Sequence, residues 1–294
     1  MKVGFSIYRF DWPGSPGNIG STLKEISVAA EQAGFSSIWV MDHFFQLDEM
    51  VGPAEDPMLE AYSTLGFLAG STKRMRLGTL VSGVIYRNPG LLVKAVTSLD
   101  VVSGGRANFG IGAAWYEREA MGLGFPFPAL KERYERLEET IQIAKKMWSG
   151  DTSPYKGKHY QLAEPINSPQ PITKPHPPIL IGGGGEKKTL RLVAQYADAC
   201  NLFAMGGIDD IAHKLDVLRH HCEDIGRPYD EIERTVLSMA HMAPDSMTVS
   251  DVINSCRDLA KLGIQHVIFA MPNIHEIEIF EKFGEEIIPA VSEF

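Results

Sequence analysis

Asp42 and His43 stand side by side at the end of a short apolar run, Ser37–Met41. A histidine so placed can hydrogen-bond a ligand or shuttle a proton near neutral pH. An isolated histidine is more often satisfied by neighbouring backbone, so its place in the fold decides between the two readings. A second segment is more specific. Gly182, Gly183, Gly184 and Gly185 follow the apolar run Pro178–Ile181 and precede a helical pattern from Lys187. Each glycine loses much backbone freedom on folding, so four in succession disfavour stability. They suit a place where backbone N–H groups converge on an anion at a helix N-terminus, and phosphate is the expected anion.

Two further segments carry weaker signals. Gly78-Thr79-Leu80-Val81-Ser82-Gly83 lacks charge and has glycine at both ends, so its backbone could approach a flat ring closely. In Phe109-Gly110-Ile111-Gly112-Ala113-Ala114-Trp115, the small residues Gly112, Ala113 and Ala114 leave room for a ligand, and Trp115 offers a broad apolar surface. Glu119 can anchor that loop or accept a hydrogen bond. His213, His220 and His221 lie on a polar helical stretch and are expected to be solvated. His241 and Met271-Pro272-Asn273 say less. The chain has no HExxH, no Walker loop, no GxSxG and no metal-ligand cluster.

The elements that must position these residues alternate regularly. Strands are expected at Val3–Tyr8, Ser37–Met41, Met75–Val81, Ala107–Ile111, Pro178–Ile181, Ala199–Leu202, Glu233–Met239 and His266–Ala270. Helices are expected from Thr22 to Ala33 with Ser21 as N-cap and Gly34 as stop, at Leu59–Ser71, from Asn88-Pro89 to Ser103-Gly104-Gly105, and at Leu130–Trp148. The remaining four run over Lys187–Tyr196, Ile208–Ile225, Ser250–Leu262 and Ile274–Val291. Gly150–Pro178, rich in Pro, Lys, Tyr and Ser, reads as an insertion with a hairpin around Lys158–Leu162. Strands separated by helices run parallel, and eight such units favour a closed (β/α)8 TIM barrel in one domain, 1–294. The open doubly wound sheet is the alternative, but its GxGxxG after the first strand is missing. In a closed barrel the chemistry sits in the loops after the strands, which hold both segments singled out first.

Composition bounds the partners. Net charge is -9 over 294 residues, which argues against non-specific binding to nucleic acid or to an anionic membrane. No run approaches the roughly 20 apolar residues of a membrane span. Cys200, Cys222 and Cys256 form no CxxC, so neither a disulfide framework nor a structural zinc site is expected, and a cytoplasmic setting fits.

Over essentially its whole length the chain resembles the bacterial luciferase-like family of flavin and deazaflavin oxidoreductases. The marks are Trp39-Val40-Met41-Asp42-His43, Gly78-Thr79 with Tyr86-Arg87-Asn88-Pro89, Ser103-Gly104-Gly105-Arg106, Gly110-Ile111-Gly112-Ala113-Ala114-Trp115 with Glu119, Gly122-Leu123-Gly124, and Pro178–Gly185. It is most similar to the branch that uses coenzyme F420. The resemblance implies that His43 sits beside the deazaflavin with Asp42 next to it. It also implies a bulge with a non-prolyl cis peptide at Leu80-Val81 behind the ring, small residues at Gly112, Ala113 and Ala114, and a phosphate loop at Gly182–Gly185. It implies hydride transfer to or from a small organic substrate, with His43 as the catalytic residue, and a homodimer formed near the second and third units. The second helix carries Leu59, Tyr62, Leu65, Phe67 and Leu68, more apolar residues than one barrel-facing stripe needs. One departure matters: the sugar-phosphate dehydrogenases of the branch carry a proton-donating Glu where this chain has Trp115, and the insertion lacks an obvious basic phosphate clamp. Sugar-phosphate oxidation is therefore disfavoured. An FMN-dependent monooxygenase of the same fold, or a non-enzymatic flavin-binding protein, is the alternative reading.

Overall fold

Period-two alternation along the strands sorts the apolar residues into two cores. Ile38 and Val40, Ile179 and Ile181, and Val267 and Phe269 face the surrounding helices. Their neighbours Trp39, Leu180 and Ile268 point the other way, into a smaller cluster with Ala199, Leu80, Val81 and Leu237. A sheet apolar on both faces must be covered outside and closed upon itself inside. The computed structural model, which describes residues 1–48 and 50–294, shows that arrangement.

The barrel strands are β1 (Lys2–Ile7), β2 (Ser37–Val40), β3 (Arg76–Thr79), β4 (Ala107–Gly112), β5 (Ile179–Gly182), β6 (Ala199–Phe203), β7 (Glu233–Met239) and β8 (His266–Ala270). All neighbours pair in parallel, β8 pairs with β1 through Lys2↔His266, and β3 closes on β4 through Leu77↔Ala107. The outer helices are α1 (Ile19–Ala33), α2 (Ala61–Ser71), α3 (Pro89–Ser103), α4 (Leu130–Trp148), α5 (Thr189–Tyr196), α6 (Gly207–Ile225) and α7 (Val249–Lys261). A last helical stretch runs over Glu278–Lys282, Phe283–Ile287 and Ile288–Val291, with its middle part wound as a π turn. Pro289 lacks an N–H and interrupts the ordinary ladder there.

The structure corrects several expected boundaries. α1 begins at Ile19, so Ser21 lies inside it and donates to Asn18 O at 2.8 Å instead of capping it. β3 stops at Thr79; the Leu80-Val81 peptide is cis, and a short strand, Ser82–Gly83, then pairs with β4. α2 starts after Glu60, whose carboxylate accepts from Ser63 N at 2.7 Å. A helix at Glu117–Gly122 has no counterpart in the sequence pattern; one and a half turns are too few to show a period. Within 150–178, Tyr155–Lys156 pairs with Gln161–Leu162. Its turn is anchored by the carboxylate of Glu139, which accepts from the amides of Lys158, His159 and Tyr160 at 2.8, 3.1 and 3.0 Å. His221 is half-buried and bonded to Glu186 O at 2.8 Å, where solvation was expected.

Below the rim the barrel is filled with side chains. A Cβ on Gly78 would lie 2.7 Å from the Trp39 ring, and one on Gly83 would lie 2.5 Å from the Tyr86 ring. The space at these glycines therefore belongs to the protein's own aromatic rings. Trp39 Nε1 donates to Ser37 Oγ at 2.8 Å, and that hydroxyl meets His266 Nε2 at 2.9 Å. Burial pushes the His266 imidazole down to about 4, so this inner network is uncharged near neutral pH. No helix among the described residues is long and apolar enough to cross a membrane.

Candidate active site

The segments that follow β2, β3, β4 and β5 bring Asp42, His43, Leu80, Val81, Gly112, Ala113, Ala114 and the glycine run to one rim of the barrel. Asp42, His43, Ala114 and Gly183 are held by partners distant in sequence. Asp42, fully buried, takes both arms of the Arg87 guanidinium at 2.7 and 2.9 Å, and Arg87 also reaches Glu60 at 2.5 Å. The fork geometry fixes both groups more tightly than a single contact could. Arg87 lies over the Tyr62 ring at 5.0 Å, and Asn88 caps α3 by accepting from Gly90 N at 3.0 Å. The Tyr-Arg-Asn-Pro run thus joins the β2 segment to the start of α3.

His43 has a buried partner that the sequence marked as a loop anchor or hydrogen-bond acceptor without saying for which group. Its Nδ1 lies 3.0 Å from Glu119 Oε1, and Glu119 is completely buried. The second oxygen of Glu119 accepts from the amides of Phe44 and Phe45, the latter at 2.7 Å. Burial alone would raise the Glu119 carboxyl, but the hydrogen bond with His43, aided by Tyr86 and the Phe45 amide, holds it below the ordinary glutamate range. An ionised carboxylate only accepts, so the proton between the two groups sits on His43 Nδ1. In the neutral ring this leaves Nε2 as the lone-pair nitrogen. Nε2 has no partner among the described residues and is not sealed off from solvent. Trp115 and Tyr116 flank the imidazole edge-on, each 5.8 Å from its centroid. Tyr86 lies on another side at 6.5 Å; burial and the neighbouring Glu119 carboxylate keep its phenol protonated.

The small residues divide into two kinds. Gly112 and Gly182 face inward with Val81 wedged between them: an added Cβ would lie 2.8 and 2.9 Å from its methyl carbons. These glycines make room for Val81, which forms an apolar floor under the rim. Ala114 adopts a left-handed backbone, φ 62, costing an L-residue about 1–2 kcal/mol, and its carbonyl is gripped by Arg133 Nη1 at 2.8 Å. Gly183 has φ +112 and donates to Asn201 O at 3.0 Å, which turns the chain out of β5. The amides of Gly184 and Gly185 have no acceptor among the described residues. α5 begins at Thr189, two residues later than expected, so the loop includes Glu186, Lys187 and Lys188. A Cβ on Gly185 would lie 2.8 Å from Thr189 Oγ1 and 3.1 Å from Tyr134 Oη, two hydroxyls that meet each other at 2.8 Å. The loop is therefore a cradle of free amides rimmed by hydroxyls, which fits an acidic ester group. Among the described residues no cluster of His, Cys, Asp or Glu has the make-up of a metal site.

Glu119→Gln tests the buried pair. Glu119 is held below its ordinary value, so its contribution to stability is fully present above the glutamate range and is lost as pH falls through it. The variant should lose about 1–3 kcal/mol at pH 7 in urea unfolding, and this difference should shrink toward pH 4. An equal difference at both pH values would show that the carboxylate's charge is not what holds the loop.

Residues 1–281 match the family described as luciferase-like monooxygenase. An F420-dependent glucose-6-phosphate dehydrogenase of Amycolatopsis mediterranei is 30% identical over 223 residues, 73% of this chain and 63% of that protein. A protein of the same description from Kineococcus radiotolerans is 31% identical over 219 residues, 73% of this chain and 62% of that protein. The matches thus span somewhat less than two thirds of these relatives. Among solved structures, an F420-dependent secondary alcohol dehydrogenase in complex with an F420-acetone adduct has the same fold, with a TM-score of 0.82 at 17% identity over 99% of this chain and 98% of that one. With the barrel, the Asp42-His43 segment and the glycine run in place, the chain belongs to the luciferase-like monooxygenase family.

Proposed function

We propose that the chain is a coenzyme F420-dependent oxidoreductase, one barrel domain with an insertion at about 150–178, moving a hydride between deazaflavin C5 and a small organic substrate. The observation that carries this reading is the make-up of one rim. It has an apolar floor at Val81, a histidine with a bare Nε2 and a cradle of free amides at Gly184 and Gly185. The descriptions of the relatives favour the deazaflavin over FMN. The cofactor supplies a two-electron hydride carrier; the protein supplies orientation and electrostatics.

In this reading Val81 with Gly112, Ala113 and Ala114 backs the ring, and Gly182–Gly185 receives the phosphate, the free amides lying in its outer part. Asp42 holds the β2 segment through Arg87. Glu119 holds the imidazole so that His43 Nε2 faces the substrate, where it takes up or returns the proton that accompanies hydride transfer. A cytoplasmic setting suits three buried, unpaired cysteines, Cys200, Cys222 and Cys256. The chain is read as a homodimer. Leu65 and Leu68 prove to be core residues and Tyr62 bonds Ser82 at 2.9 Å, so the outer apolar face consists of Phe67 on α2 with Leu91 and Val102 on α3.

Fluorescence titration should show F420 binding more tightly than FMN; micromolar FMN affinity with no F420 binding would overturn the assignment. Gly184→Asp should weaken F420 binding about tenfold or more. The fold should survive, because the nearest atoms a Cβ there would meet belong to the flexible Lys214 side chain, starting at 3.5 Å. Unchanged affinity would make the loop a simple turn.

His43→Ala should slow single-turnover hydride transfer about 10²–10⁴-fold while changing cofactor affinity much less. Equal, modest losses in both would reduce His43 to a ring contact.

Light scattering at micromolar concentration should give about twice the 32.4 kDa of one chain, and Phe67→Asp should lower it. A monomeric mass for the unmodified chain would refute the dimer.

A further inference from the structure

We infer that Lys214 is the cation of the Gly184–Gly185 cradle and that Glu186 holds it in reserve, giving up its ammonium to a phosphate ester that seats on the loop; this rests on the cofactor-binding reading above.

The case starts on α6. Asp210, His213, Lys214 and His221 recur at helical spacing and so share one face. α6 turns that face to the glycine loop. Lys214 Nζ donates to Glu186 Oε1 at 2.5 Å, His213 Nε2 lies 3.2 Å from the same oxygen, and His221 Nε2 meets Glu186 O at 2.8 Å. Two of the three histidines that the sequence pattern leaves to solvent thus meet one residue of the loop. His221 fixes its backbone, and Lys214 and His213 gather its carboxylate.

The Lys214 stem forms part of the loop's wall. A Cβ on Gly184 would lie 3.5, 3.8 and 3.9 Å from Cε, Cδ and Cγ of Lys214. The Lys214 side chain is only 19% exposed, whereas Lys187 and Lys188 are exposed residues. Its ammonium stands one bond of about 1.5 Å beyond Cε on a flexible stem. It can turn from Glu186 toward a ligand of the free Gly184 and Gly185 amides while α6 stays in place.

Charge favours that exchange. Free amides ahead of α5 attract an anion. The one carboxylate of the loop, Glu186, opposes it, and Lys214 is that carboxylate's partner. The hydrogen bond between them holds the Glu186 carboxyl below and the Lys214 ammonium above its ordinary value, so both are charged near neutral pH. Asp210 Oδ1, at 3.7 Å, is the other acid facing the ammonium. A phosphate ester on the amides offers Lys214 a charge-assisted bond in place of the one to Glu186. Glu186 is 41% exposed, and ion pairs of that kind add little to stability, so the exchange costs the fold little.

Equilibrium fluorescence titration, without turnover, tests this. Lys214→Gln keeps a stem against Gly184 and should weaken F420 binding about tenfold, while a deazaflavin lacking the phosphate should bind within about twofold of normal. Glu186→Gln should tighten F420 binding about threefold. In the Glu186→Gln background, Lys214→Gln should still cost about tenfold. Urea midpoints of all three variants should stay close to that of the unmodified protein. Unchanged F420 affinity in Lys214→Gln, an equal loss for the phosphate-free deazaflavin, or weaker binding in Glu186→Gln would overturn the inference. So would a Lys214→Gln loss that vanishes in the Glu186→Gln background, because Lys214 would then only neutralise Glu186. If the unmodified protein binds no F420, the cofactor reading falls. FMN, whose phosphate ester suits the same loop, then replaces F420 in the titrations. The same order of affinities would uphold Lys214 as the cradle's cation, and binding of neither compound would overturn both readings.

Discussion

A carboxylate with no solvent exposure must be fully hydrogen-bonded or it will neutralise, and the candidate site is arranged around one such group. Glu119 gathers the imidazole of His43 and the amides of Phe44 and Phe45, so it fixes in one contact the ring orientation, the tautomer and the path of the segment after β2. The short helix Glu117–Gly122 delivers this carboxylate, and Gly122 lets the helix lie against Phe45, since a Cβ there would be 2.9 Å from its ring. Asp42 solves the same problem with a different partner, the Arg87 fork. Two adjacent residues, Asp42 and His43, are thereby tied to different neighbours, and the histidine has little freedom to turn.

The barrel sets where this pair can act. Alternation along the strands fills the lower interior with Trp39, Leu180 and Ile268 and brings Val81 between two inward glycines as the uppermost filled layer. Above that layer the same alternation presents Phe203 and Met239, which no protein group covers completely. Strand period, glycine placement and the side-chain layer thus pack the lower interior and leave the chemistry to the rim.

Much of this was legible in the sequence. Strand and helix periods gave the (β/α)8 order, and four consecutive glycines after Ile181 pointed to a backbone-lined anion site. The partners were less legible because they are long-range. Glu119 lies 76 residues from His43, and Arg87 lies 45 residues from Asp42. Hydrophobic period says which face a residue takes but not which loop carboxylate it meets. Glycine was ambiguous for a related reason. Gly78 and Gly83 read as a close approach to a flat ring, Gly112 as room for a ligand and Gly182 as part of an anion loop, whereas the space beside them is taken by Trp39, Tyr86 and Val81. A missing side chain shows that something lies close without saying what. The bidentate Asp42–Arg87 pair had one visible trace, the Tyr86-Arg87-Asn88-Pro89 run placed directly before a helix.

The central claim is that ionised Glu119 keeps the proton of the neutral His43 ring on Nδ1 and leaves Nε2 bare at the rim. Nitrogen-15 NMR of the histidine rings at pH 7.5, with His43→Gln to assign the signal, reads the tautomer directly. The account predicts that the neutral form of the His43 ring carries its proton on Nδ1 in the unmodified protein and on Nε2 in Glu119→Gln, whose amide can donate to Nδ1. A ring protonated at Nε2 in the unmodified protein, or the same tautomer in both proteins, would contradict it.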